Sequence, residues 1–251
     1  MTPLLVATAV AVFAGAALQA ATGFGFAVLA APLAFAALDP EEAIGLMLLL
    51  GMEIGVLTLA TEGRRPRPMV RRCLIVLAWA VPAAVAGVAV LRALDPVALQ
   101  VAVSVGVAAT LVARKRLAAE RRGGGRGAES RWAAPLTGVV AGGLVTSTNT
   151  TGPPLLLYLV GRGHEPVPLR DTLTVMQLGL SVIGAVAIAV TGTHGAVPSA
   201  GLIAVFVPLV LVAQIAGRPL FALLARHGGY EPVLNATLVV AVAAGLVTAV
   251  L

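Results

Sequence analysis

The chain has 251 residues, 59% of them hydrophobic and 11% charged, with a formal net charge of +6 and a mean hydropathy of +1.00. A soluble domain carries roughly 25% charged residues, and this composition cannot supply the polar skin that a soluble protein needs. The sequence therefore describes an integral membrane protein, a single membrane domain over 1–251. A lone cysteine, Cys73, excludes a disulfide framework and a cysteine-based metal centre. His164, His194 and His227 do not stand at metal-ligand spacing, so neither a metal nor a cofactor is expected. The basic residues lie between apolar runs rather than on one face, which argues for membrane topology and against nucleic acid.

Met1 to Ala20 is apolar but lacks the positive start of a cleaved leader, and is read as the first membrane segment. Apolar segments then follow at about 24–38, 43–61, 73–91, 97–113, 133–148, 152–160, 172–190, 197–217 and 232–250, the first covering 4–21. In lipid such stretches must be helical, because every backbone group has to be satisfied internally. The alternation of a transmembrane barrel is absent. The expected fold is all-α and polytopic.

Arg64, Arg65, Arg67, Arg71 and Arg72 follow the third segment, and a second basic cluster from Arg114 to Arg131 follows the fifth. Arg162 and Arg170 follow the seventh, and Arg218 and Arg226 the ninth. These connections fall on one side and hold 16 of the 17 basic residues, leaving Arg92 for the other. The positive-inside rule makes them cytoplasmic, with both termini outside. Asp39, Glu41, Glu42 and loop 191–198 then face out. Arg92 is expected to snorkel to the outer headgroups, and His194 to be a solvated loop residue.

Loop 114–131, with Gly123-Gly124-Gly125, reads as a cytoplasmic linker between repeat 1 (1–113) and repeat 2 (132–251). At an offset of about 127 residues Gly15 matches Gly142, and Thr22-Gly23-Phe24-Gly25 matches Asn149-Thr150-Thr151-Gly152. Five segments is an odd number, so the second copy enters from the opposite face. Such inverted repeats serve alternating access in secondary transporters.

Both halves break at the same place. Glycines permit unwound backbone, Thr151 suits an N-cap, and Pro153 suits the first turn of a helix. Segment 152–160 rises only about 14 Å at ~1.5 Å per residue, half of a ~30 Å hydrocarbon core. It should form a re-entrant hairpin with segment six, and the tip at Thr22-Gly23 should descend from the other face. Two short-helix N-termini then meet in mid-membrane, where free N–H groups and the helix dipole favour a negative charge. Gln19, Thr22, Ser147, Asn149, Thr150 and Thr151 add neutral donors. A small anion is the expected substrate, beside Gly23, Phe24, Gly25, Gly152 and Pro153 at the tips.

The run Gln19-Ala-Ala-Thr22-Gly23-Phe24-Gly25-Phe26, with Pro32 beyond it, resembles the first signature of the TauE/SafE sulfite exporter family. Gly152-Pro153-Pro154-Leu-Leu-Leu-Tyr158 is similar to its counterpart on the second copy, and the resemblance spans the whole chain. Phe26 and the Thr148-Asn149-Thr150-Thr151 stretch replace glycines of the commoner form. The resemblance implies a multi-pass protein of the bacterial inner membrane that moves sulfite, sulfonates or related organic anions. A passive anion channel is the nearer alternative and an intramembrane enzyme the remoter one. Ser147 and Ser181 have no intramembrane histidine to activate them, and no Walker A sequence is present, so no enzyme is expected.

Glu53 lies about ten residues into the third span, where an ionisable group is by default functional; it is the candidate for proton coupling, with a hydrogen-bonded structural glutamate as the competing reading. Gln177 and Gln214 either line the pathway or cross-link helices. Gly51/Gly55 and Gly138/Gly142 have the spacing of close helix contacts, and Pro32, Pro82 and Pro208 should kink their helices. Expected partners are the anionic substrate and membrane lipids, with a homodimer left open.

Overall fold

The computed structural model describes residues 3–61, 63–94, 98, 131–160 and 166–227. Eight α-helices are described: α1 (Pro3–Thr22), α2 (Phe26–Ala37), α3 (Pro40–Thr61), α4 (Val70–Ala93), α5 (Ala133–Ser147), α6 (Gly152–Val160), α7 (Pro166–Val190) and α8 (Ala200–His227). A 3₁₀ turn, His194–Ala196, precedes α8. There is no strand among the described residues. The expected segments 97–113 and 232–250, and the linker as far as residue 130, lie outside them.

Five helices, α1, α3, α4, α7 and α8, are long and apolar enough to cross a membrane. Their outward faces carry Val10, Val56, Leu74, Val190 and Ile215, all well exposed. In water such patches would invite aggregation; in lipid they are the expected surface. Helix α2 has 12 residues, α5 has 15 and α6 has 9, so at ~1.5 Å per residue none of them matches a ~30 Å core. Pro32, Pro82 and Pro208 lie inside α2, α4 and α8, which continue past them.

Polar contacts sort the connections into two ends. At one, Arg64 grips Asp171 through Nη1 and Nη2, each at 2.7 Å, the Arg67 N–H donates to the same carboxylate, and the Met69 N–H donates to Thr172 Oγ1. This pairing holds the Arg64 guanidinium even more firmly protonated than usual. At the other end Arg92 donates to Thr191 O and Thr193 Oγ1 and faces Glu41 at 3.8 Å, while the Ser199 N–H donates to Glu42. Arg92, whose side chain stays 43% exposed, also ties down the chain beside it. The carbonyl and hydroxyl of a neighbouring loop lie within its reach, and it fastens that loop to α4.

The helices pack through glycines. Gly138 abuts the Val76 carbonyl and Trp79, Gly142 the Ala80 carbonyl, and Gly87 faces Gly143, so α5 runs parallel to α4 with backbones nearly touching. In the same manner Gly217 meets Ala17, and Gln214 Nε2 donates to Ala16 O, setting α8 along α1. Gly51 and Gly55 bring α3 against Ser181 and Leu178 of α7.

The Arg64–Asp171 pair ties the connection before α4 to the first turns of α7, its side chains 33% and 3% exposed. Asp171→Asn should lower stability by roughly 2 kcal/mol, less than the ~3–5 kcal/mol of a fully buried pair because Arg64 stays partly solvated. Thermal unfolding in detergent measures it; an unchanged midpoint would mean that the pair does not fasten α7.

Candidate functional site

The chain reverses twice inside the bundle, from opposite ends. Helices α1 and α2 are antiparallel: Thr8 Oγ1 approaches Leu33 O at 3.2 Å near their open end, and Gly15 faces the Phe26 backbone nearer the tip. That open end is the Glu41 end. Helix α5 starts at the Arg64 end beside the start of α4, and α6 returns to it, where Arg72 stands 5.9 Å from the Tyr158 ring.

Each tip is built from residues that satisfy the loose helix ends locally. Gly23 sits at φ +79° and Gly25 at +121°, conformations that a side chain resists. Space excludes one at Gly23 too, since a Cβ would stand 2.9 Å from the Arg170 carbonyl. Thr22 Oγ1 lies 2.9 Å from Leu18 O and 2.6 Å from Phe24 O, and accepts the Phe24 N–H. The Gln19 carbonyl accepts Gly23 N–H, and its side-chain oxygen accepts Phe26 N–H, capping α2 from within the hairpin. In the second tip Asn149 takes the left-handed φ of 54°, and Thr148 and Thr150 bond each other at 2.7 Å. Ser147 Oγ donates to Gly143 O.

The tips interlock. Phe24 of the first lies against Gly152 of the second so closely that any Cβ there would overlap its ring. Beside this contact is a small cavity that opens outward, with about 20 Å³ of interior space, enough for a water molecule. The first hairpin lines it with Gln19, Gly25 and the opening turn of α2, and the second with Asn149, Thr151 and Gly152. Gly51 of α3 and Gln177 and Ser181 of α7 complete the wall.

Five of the expected site residues thus share one cavity: Gln19, Gly25, Asn149, Thr151 and Gly152. Thr22, Ser147 and Thr150 do not line it, their hydroxyls being directed within the tips. Gly23, Phe24 and Pro153 shape the tips rather than the wall. Pro153 and Pro154 also remove two of the N–H groups that begin α6, and Leu155 N–H reaches Thr151 O at 3.4 Å, leaving Gly152 N–H as that helix's free donor. Helix α2 contributes more, through Ala27 and Val28 in its lining turn.

Gln177 proves to be a lining residue, whereas Gln214 is a cross-link between Ala16 O and Thr58. Glu53 is not among the lining residues. It lies on the less buried flank of α3, and its Oε2 has no hydrogen-bond partner among the described residues. Among those residues no cluster of histidine, cysteine or carboxylate groups is arranged to hold a metal ion. Reasoning from sequence missed Arg170, which is buried, packs on Gly23 and donates to Ala20 O at the end of α1. Such a cation complements the carbonyls of a helix C-terminus.

Spanning helices around two opposed, broken-helix hairpins that share a polar cavity define a polytopic membrane protein of the transporter type. The sequence profile of the family described as sulfite exporter TauE/SafE matches residues 7–248. The chain belongs to that family, a family of membrane transporters. No curated protein and no solved structure matches it.

The Phe24–Gly152 contact yields a direct check. Gly152→Ala should cost about 1–3 kcal/mol by overpacking, and adding Phe24→Leu should recover at least half of the lost thermal stability. Failure of the second change to restore anything would mean that the tips do not interlock there.

Proposed function

We propose that the protein is a secondary transporter of a small anion, sulfite or a sulfonate or related organic acid, working by alternating access around the cavity between the tips. The observation that carries this reading is that two short helices of opposite direction begin at one cavity. Free N–H groups and aligned peptide dipoles at helix starts favour negative charge, and the neighbouring Gln19, Asn149 and Thr151 side chains are neutral. Gln19, Gly25, Asn149, Thr151 and Gly152 are proposed as contacts, with Thr22, Gly23, Phe24, Ser147, Thr150 and Pro153 holding the tips in shape.

The two halves are proposed to be inverted repeats. The pairing of α5 with α4 has its counterpart in α1 with α8, and α3 against α7 would lie on the pseudo-twofold axis, which supports this. The Arg64 end, rich in arginine, is proposed as the cytoplasmic side of a bacterial inner membrane, with both termini outside. Glu53, at mid-span and away from the cavity, is proposed to carry the coupling proton, so that proton and anion take separate routes.

Uptake of sulfite, thiosulfate, methanesulfonate and acetate into proteoliposomes tests the reading. Asn149→Leu is expected to reduce uptake at least tenfold with thermal stability retained; undiminished uptake would remove the cavity from the transport path. Saturable exchange distinguishes the carrier from a passive channel. Glu53→Gln should abolish acceleration by an imposed proton gradient while leaving exchange intact, and an unaltered response would clear Glu53 of coupling.

A further inference from the structure

The tip residues do not account for the whole wall of the cavity. We infer that Gln177 and Ser181 of α7 form a third, specificity-determining wall, holding oxygen atoms of a bound oxyanion opposite the two hairpin tips. The inference rests on the proposed transport site and deepens it, because it names what distinguishes the substrate from other small anions.

One hydroxyl breaks the pattern of this protein. Thr8, Thr137, Ser147, Thr174 and Thr191 each donate to the carbonyl four residues earlier. This is the default for a helical hydroxyl with nothing better to bond. Ser181 is only 5% exposed, yet it makes no hydrogen bond to any described residue. The Gln177 amide likewise has no hydrogen-bond partner among the described residues. The two stand one turn apart, so their side chains share a face of α7, and both line the cavity. Ser181 is buried and Gln177 half-buried, and the polar atoms of both remain open to the cavity; polar groups inside a lipid-embedded bundle are costly unless satisfied. A pair kept off the carbonyls and turned to one cavity is satisfied by what enters it.

Across the cavity the same condition holds. Asn149 and Thr151, each 5% exposed, make no side-chain hydrogen bond to a described residue, and Gln19 has committed its oxygen to Phe26 N–H, leaving its amide N–H groups. Gly51 keeps the space before Ser181 open, since a Cβ there would stand 2.8 Å from the serine Oγ. Neutral donors therefore converge from three elements, with neither a carboxylate nor a cation among the lining residues. An anion with several oxygens around one small centre can bond to all three at once. A halide of similar charge has no such set of separated acceptors.

Counterflow of radiolabelled sulfite in proteoliposomes, with methanesulfonate and chloride as competitors, tests this. The wild-type chain should take up sulfite, with methanesulfonate competing and chloride not. Ser181→Ala and Gln177→Leu should each raise the half-saturation concentration by roughly tenfold to a hundredfold, as for loss of one hydrogen bond to a charged group. The maximal rate should change by less than about threefold, and the preference over chloride should narrow. Gly51→Ala should act through Ser181, so that Gly51→Ala combined with Ser181→Ala is no worse than Ser181→Ala alone. If Gln177→Leu fails to fold, Ser181→Ala, which removes one atom, decides alone. Unchanged half-saturation and selectivity in these variants, with uptake lost in Asn149→Leu, would overturn the third wall and leave the tip site standing. Uptake unaffected by Asn149→Leu as well, or no uptake of these anions by the wild-type chain, would overturn both.

Discussion

A helix that stops inside a membrane leaves backbone donors and acceptors that no water can satisfy, and the rest of this structure depends on how that constraint is met. Isolated in hydrocarbon, each orphaned group would cost several kcal/mol. Here the first reversal is closed by Thr22 and Gln19, whose side chains bond to Phe24 and Phe26. Arg170 donates to the Ala20 carbonyl at the end of α1. The second reversal uses prolines, which dispense with two donors outright, and a threonine pair that satisfies itself. At both described tips the non-helical backbone is thus buried in protein beside a cavity, a setting in which it persists at membrane depth.

Once the tips are satisfied, what remains unsatisfied becomes informative. Thr22, Ser147 and Thr150 hold the turns, whereas Asn149, Thr151, Gln177 and Ser181 line the cavity without bonding to described side chains or carbonyls. Structural and ligand-facing polar residues are therefore interleaved within single motifs. Neighbours such as Thr150 and Thr151 have different tasks because the left-handed turn at Asn149 rotates one inward and the other toward the cavity.

Much of this was legible in the sequence. The expected short segment 152–160 coincides with α6, and 133–148 with α5 to within a residue, because glycine and proline punctuate both ends of an apolar run. Among the described connections the grouping into two ends also agrees, with Arg64 and Asp171 joined at one and Arg92 and Glu41 facing at the other. The role of each tip hydroxyl was not legible. It depends on backbone angles at Gly23, Gly25 and Asn149, which composition does not specify. Nor was the wall from α3 and α7, which lies far away in the chain. A signal for it did exist: Gln177 and Ser181 are one turn apart in an apolar span, and polar groups at that depth face inward. Arg170 was hidden by its company, because a basic residue after a segment reads as topology when it can equally cap a helix.

The glycine contacts carry one more implication. Each hairpin is seated on a span from the opposite half of the chain, α5 backbone to backbone on α4 and α1 on α8. Surfaces that close do not slide or separate easily, so any block that moves as a unit has to be drawn across the sequence midpoint. The two halves are clasped, each holding the other's short arm. A chain cut between residues 114 and 131 would yield fragments that each lack a seat for their own hairpin, and neither would be expected to fold until it met the other.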